Sequence, residues 1–330
     1  MTALTKVNMT AINNVEYFSD DVINAFIASR HGSANSQRTY RNGVKVLLKY
    51  FAVNGITQPE TADVDNFVNQ LRAENKSAST IRLYNTIAHM FFTFLERQGI
   101  YRNIAADCEP LRLKKSMTHK RDALTQKQAQ NLITSIKGDD IISLRDKAIV
   151  GLGLSCGLRT VEISRANVED LENCGDYYEL RLQGKGCTSK DDAGQVVKVS
   201  LTVATIIFKY LVVRGKVEKD SLYSKAAETP LFTSTSNNSS KGKRLSAQSV
   251  GKMIKARLKS IGVNSRCISA HSCRHFAATC AIKAGVDLRE VSAMLRHSSI
   301  NVTMTYLHDI SLQTRRAELT VADTLFGGAA

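Results

Sequence analysis

Residues 270–308 read AHSCRHFAATCAIKAGVDLREVSAMLRHSSINVTMTYLH. Two clusters of cationic and protonatable side chains, His271-Ser-Cys-Arg274-His275 and Arg296-His297, flank an apolar helical pattern, and a lone tyrosine, Tyr306, follows them. His271 and Arg274 are three residues apart, which puts them on one face of a helix. Such a face presents a proton carrier and an anion clamp to one ligand. A phosphodiester as that ligand, with Tyr306 as nucleophile, is the pairing these groups suit.

The charge of the chain agrees with a polyanionic partner. Its 330 residues carry a formal net charge of +15, a balance suited to nucleic acid. The first 118 residues hold 14 of the 45 basic and 10 of the 30 acidic residues, so the excess is about +4 there and about +11 in the remainder. No lipid-binding amphipathic helix, polybasic tail or membrane-length apolar run is apparent, and the N-terminus is too polar for a signal peptide. Seven cysteines, an odd count with no C-x-x-C pair, fit reduced thiols and no metal site. A cytoplasmic, nucleoid-associated protein is expected.

Upstream, apolar residues recur at three and four. One pattern begins at Ser19-Asp-Asp-Val and ends near His31-Gly32, and a second runs from about Ala34 to Val53, where Asn54-Gly55 stops it. A third starts at Thr61, and a fourth runs from Ser77 or Ser79 to Gly99. These predict a helical domain over 19–107, preceded by an extension over 1–18. Arg38, Arg41, Lys45 and Arg82 lie on its polar faces, where they would meet phosphates and base edges.

A basic linker is expected over 108–121, then a second domain over 122–310. Thr125 is a candidate N-cap, and a helical pattern begins near Leu144 and runs through LRDKAIVGLGLSCG, followed by LRTVEISRANVEDL, in which Arg159 and Glu162 are three apart. After Asn173 the period changes to two, with Tyr178, Leu180 and Leu182 on one side of Gly184-Lys185-Gly186 and Val197, Val199 and Leu201 on the other. That predicts a small antiparallel sheet. TSTSNNSSKGKR, 233–244, reads as a polar loop that orders on a partner, with Lys243 and Arg244 on DNA. Helices resume at Ser246. The fold class is mainly α with a small antiparallel sheet: a helical DNA-binding domain joined to an α+β catalytic domain.

Arg159, Lys185, His271 with Arg274, His297 and Tyr306 stand out together. Metal-free phosphodiester cleavage needs two forked cations on the non-bridging oxygens and an acid for the leaving 5′-oxygen. It also needs cations and a proton acceptor to activate a phenol whose ordinary pKa is about 10.

The order of these groups resembles the tyrosine recombinase, or phage-integrase, family, with Xer-like size and two-domain layout. CGLRTVEIS resembles its first-arginine box, QGKGC sits where its hairpin lysine falls, AHSCRH reads as its H-x-x-R-H box, and His297 to Tyr306 has its spacing. SANSQRTYRNGVKVLLKYF and KSASTIRLYNTIAHMFFTFLERQG resemble helices of its core-binding domain. The resemblance implies that Arg159 and Arg274 bind the scissile phosphate and that Lys185 protonates the leaving group, with Lys190 and Lys198 nearby in the same hairpin. It further implies that His271 assists the tyrosine, His297 hydrogen-bonds the phosphate, Glu162 and His275 support the site, and Tyr306 forms a 3′-phosphotyrosyl bond. No cofactor, metal or ATP is implied. The implied partners are duplex DNA with an inverted-repeat core site and three further protomers, identical or paralogous, with the tail 311–330 docking on a neighbour. Arg296 departs from the family's glycine and is expected to add a cation beside the phosphate; Cys273 replaces a usual leucine. A DNA-binding protein without chemistry and a type IB topoisomerase are the competing readings.

Overall fold

A computed structural model describes residues 18–113, 123–183, 195–215, 229–237, 239–265, 267–297, 299–314 and 327, the last helix by backbone alone beyond Leu307. The described residues divide into two compact units, one up to Leu113 and one from Ala123. Lys185 and Lys190, most of the 1–18 extension, residues 114–121 of the expected linker and most of the tail after Thr314 lie outside the described residues.

Among its described residues, the first unit has four helices, α1 (Asp20–Ala28), α2 (Ala34–Val53), α3 (Thr61–Ala73) and α4 (Ala78–Arg97). Ser19, Ser33 and Ser77 cap α1, α2 and α4, each hydroxyl accepting from a backbone N–H in the first turn, which satisfies a donor the helix start leaves open. Asn54 closes α2 before Gly55, whose φ of 66° is a left-handed geometry suited to glycine. Phe26, Phe51, Phe91 and Phe92 are fully buried, and Phe26 meets Phe91 edge-on at 5.2 Å. A Cβ at Gly43 would lie 2.4 Å from Ile87 Cδ1, so this glycine lets α2 and α4 approach closely.

The second unit begins with α5 (Gln126–Ser135), capped by Thr125, whose hydroxyl accepts from Gln128 N–H while the Gln128 side chain accepts from Thr125 N–H. Next come α6 (Ile141–Ser155), α7 (Thr160–Arg165), β1 (Leu171–Asn173), β2 (Tyr177–Leu182), β3 (Gln195–Ser200) and α8 (Leu201–Val213). Among the described residues there follow α9 (Ala247–Ser260), α10 (Ala270–Lys283), α11 (Leu288–Leu295) and α12 (Ile300–Thr314). The sheet is antiparallel in the order β1-β2-β3, with Leu171 opposite Leu180 and Leu180 opposite Val197. Leu180, Leu182, Val197 and Val199 point into the core, as period-two alternation requires. Asp146 is buried between Arg145 and Arg257, tying α6 to α9. Mainly helical with a small antiparallel sheet, this is the expected fold class.

Helix α7 stops at Arg165, because Ala166 turns extended and its carbonyl accepts from Leu231 N–H. Three local expectations change. A third strand, β1, follows α7. Leu201 opens α8 instead of ending β3, since the Ser200 hydroxyl caps the helix at Val203 N–H. Residues 233–244 are partly tied down: Thr233 bridges Arg244, and Ser234 N–H donates to the Lys243 carbonyl. Among the described residues, no helix is long and apolar enough to cross a membrane.

Candidate active site

Arg159 sits at the N-cap of α7 with extended backbone, so its side chain leaves the helix start at a fixed angle. Glu162, one turn on, is fully buried and holds it. Glu162 Oε1 accepts from Arg159 Nη1 at 2.7 Å, and Oε2 accepts from the Arg159 backbone N–H at 2.8 Å. Burial pushes the Glu162 carboxyl up, but the charge of Arg296 and the hydrogen bonds from Arg159 and Arg296 outweigh it and hold the group below its ordinary value. It is therefore a permanent carboxylate at neutral pH.

Arg274 enters from α10 and is 1% exposed. Its Nη1 donates to the Gly157 carbonyl at 2.7 Å and its Nη2 to the Leu295 carbonyl. Gly157 has φ 60°, and a Cβ there would lie 2.6 Å from Leu295 Cδ2, so only glycine fits beside this arginine without displacing its neighbours. Burial, then the charges of Arg159 and Arg296, push Arg274 down to about 10. It remains charged at neutral pH. Cys273, beside it, is fully buried and its thiol is pushed up to about 12 by burial, which makes it inert packing.

His297 follows the end of α11, and its Nδ1 shares a hydrogen bond of 2.8 Å with Thr303 Oγ1 on α12. That leaves Nε2 on the opposite edge of the ring. Burial, followed by the charges of Arg274, Arg159 and Arg296, pushes His297 down to about 4, so the imidazole is neutral at neutral pH. Tyr306, on α12, is 3% exposed and packs with Ala278, Val291 and Leu295. Its ring stacks parallel to His297 at 6.1 Å and meets His275 edge-on at 5.0 Å, while His275 meets His271 at 4.9 Å. His271 itself is exposed, on the wall of an open cleft of about 610 Å³ that Arg159, Thr160 and Ser269 also line.

The fold thus gathers Arg159, Glu162, His271, Arg274, His275, His297 and Tyr306 from four elements. Lys185 lies outside the described residues; Lys198, on β3, is exposed, with its ammonium over the Tyr177 ring. Arg38 and Lys45 are exposed and Arg41 half-buried on α2, with Arg82 exposed on α4. Lys243 is exposed as well. Arg244 departs from expectation. Its Nη1 donates to the Ser164 and Ala166 carbonyls and its Nη2 to Asn167 Oδ1, so its guanidinium braces the end of α7 instead of projecting toward a phosphate. Arg296 lies among the cations of the site, with its side chain 4% exposed and paired with Glu162. Two contributors went unread in the sequence, Thr303 and Gly157. Thr303 stands three residues before Tyr306, a helical spacing that shares a face with it; Gly157 immediately precedes the Leu-Arg-Thr of α7, where a turn has to be made.

Among the described residues, no group of three His, Cys, Asp or Glu side chains is arranged to hold a metal ion. The phage integrase family model matches residues 122–311, and the phage integrase N-terminal SAM-like domain matches residues 23–99. The chain is 28% identical over 306 residues to the tyrosine recombinase XerC of Thermodesulfovibrio yellowstonii, covering 90% of this chain and 93% of that one. It is 26% identical over 313 residues to the tyrosine recombinase XerD of Listeria monocytogenes, covering 90% and 95%. A solved XerH site-specific recombinase bound to a palindromic difH substrate, in its post-cleavage complex, shares the fold with a TM-score of 0.66 at 18% identity, covering 86% of this chain and 79% of that one. With both of its units matched, the chain belongs to the phage integrase family and is a DNA strand-breaking and rejoining enzyme of the tyrosine recombinase kind.

Proposed function

We propose that the protein is a site-specific recombinase that works through a 3′-phosphotyrosyl intermediate. One observation carries the reading: two arginines, a neutral histidine and a tyrosine from α7, α10 and α11–α12 converge on one site. Arg159 and Arg274 grip the non-bridging oxygens of the scissile phosphate, and His297 donates to one of them through Nε2. The Tyr306 oxygen attacks phosphorus, passing its proton toward His271 and His275, and the bond to the 5′-oxygen breaks. The leaving oxygen takes a proton from the hairpin lysine, Lys185. Resealing reverses these steps with a new 5′-hydroxyl, so the phosphodiester bond energy is conserved.

The domain boundaries of this reading are 19–107 for DNA binding and 122–310 for chemistry. The α2 and α4 cations, Arg38, Arg41, Lys45 and Arg82, lie along DNA, joined by Lys243. The active assembly is a homotetramer, or a tetramer shared with a paralogue, on two inverted-repeat sites in the cytoplasm. A lambda integrase tetramer bound to a Holliday junction, similar in fold, supports that stoichiometry. The test is a nicked suicide duplex bearing the site the protein selects from a random pool. Wild type becomes covalently trapped and Tyr306→Phe does not; absence of any adduct would overturn the reading. Relaxation of supercoils without site preference would favour a topoisomerase instead.

A further inference from the structure

Arg296 occupies a position that its own side chain should avoid. It caps α11 with φ 54° and ψ 50°, a left-handed geometry that costs an L residue free energy and that glycine adopts without strain. Strain of this kind persists where the surroundings demand it. Here the long side chain turns inward and is 4% exposed. Nη2 donates to Glu162 Oε2 at 2.8 Å, and Nη1 donates to the Met294 carbonyl at 2.6 Å.

The same turn receives both other guanidiniums of the site. The Arg296 carbonyl accepts from Arg159 Nη2 at 3.3 Å, and the carbonyl just before it, of Leu295, accepts from Arg274 Nη2. Glu162 is shared, with one oxygen on the Arg159 side chain and the other on Arg296. Two guanidiniums pair with this one carboxylate and the charge of the third, Arg274, is felt by it, leaving an excess of positive charge around the site.

Resting on the recombinase reading, we propose that Arg296 is a positioning residue for phosphoryl transfer. It clamps the end of α11 to Glu162, so that Arg159 and Arg274 are both seated before DNA arrives, and its own charge adds to the field at the phosphate without touching it. The left-handed strain is what places its carbonyl against Arg159.

The test measures single-turnover adduct formation at saturating nicked duplex, on a normal scissile phosphate and on one made as a methylphosphonate, which lacks one negative charge. Arg296→Gly, which relieves the backbone strain, is expected to keep DNA affinity while forming adduct about tenfold or more slowly on the normal duplex. On the methylphosphonate, the gap between wild type and variant should narrow, because less charge has to be stabilised. Arg296→Lys keeps the charge but cannot fork between Glu162 and the Met294 carbonyl, so its rate should fall between the two. If Arg296→Gly proves unfolded by circular dichroism, the comparison of the two duplexes is made with Arg296→Lys. An equal loss on both duplexes marks a merely structural role and overturns the proposal, as does adduct formation at the wild-type rate. Failure of wild type to form any adduct overturns the recombinase reading itself, and this proposal with it.

Discussion

His297 and Tyr306 lie with their ring planes within 3° of parallel, although His297 follows the end of α11 and Tyr306 sits on α12. Thr303 holds that arrangement, because its hydroxyl is fully buried against His297 Nδ1. One hydrogen bond of this kind contributes on the order of 1 kcal/mol. Thr303→Val should therefore slow adduct formation about fivefold with little change in DNA affinity, and Thr303→Ser should restore it. Single-turnover trapping reads this directly. A Thr303→Val protein as fast as wild type would remove threonine from the account.

The depressed basicity of His297 has a pH consequence for the DNA-free protein. Its value falls from 6.5 to about 4 on folding. Between those values the unfolded chain binds a proton here that the folded chain excludes, so the unfolded state gains on acidification. This contribution to stability is fully present above pH 6.5 and is lost as pH falls toward 4. Urea midpoints across that range should decline more steeply for wild type than for His297→Gln. Equal slopes would show that the folded imidazole titrates normally.

Two glycines near the site should respond with opposite signs to the same substitution. Gly157→Ala places a methyl group against Leu295 at a φ of 60° and should destabilise the fold by about 1–3 kcal/mol. It should also slow cleavage, since the Gly157 carbonyl seats Arg274. Gly251, inside α9, has open space where a Cβ would go. Gly251→Ala should stabilise by about 0.5–1 kcal/mol through helix propensity. Thermal melts of the two variants give the comparison.

Arg38, Arg41 and Lys45 follow one another along α2 at three- and four-residue spacing, and all keep some exposure. Replacing each by alanine should weaken binding to all duplexes alike and lower the salt slope by about 0.9 for every phosphate that is no longer neutralised. Arg244→Ala should do the reverse, lowering thermal stability through loss of its bonds to Ser164 and Ala166 while leaving the slope unchanged. Filter binding between 50 and 200 mM salt, about the range over which such slopes are read, separates the two classes.

The sequence was most legible where a local pattern sets the structure. Helix α2 runs from Ala34 to Val53 as its spacing predicts, because serine and asparagine caps and a three-four apolar repeat all agree. Thr125 was readable for the same reason. Helix α8 escaped notice because LTVATIIFKYLVV is rich in β-branched residues and apolar almost all round, which leaves no helical stripe to read. Arg244 and Arg296 looked like free cations because their partners lie 77 or more residues away, or are backbone carbonyls. Motif spacing brought the site residues into view. Which arginine would face inward depended on tertiary packing that no spacing encodes.

Tyr306 is a core residue as well as the proposed nucleophile. With 3% of its surface exposed, it fills space between Ala278, Val291 and Leu295 that a smaller side chain would leave as a void. Reaching a phosphate in the open cleft therefore vacates a packed position, and the void left behind favours the ring's return. On the proposed mechanism, strand cutting is therefore also a local unpacking of the core.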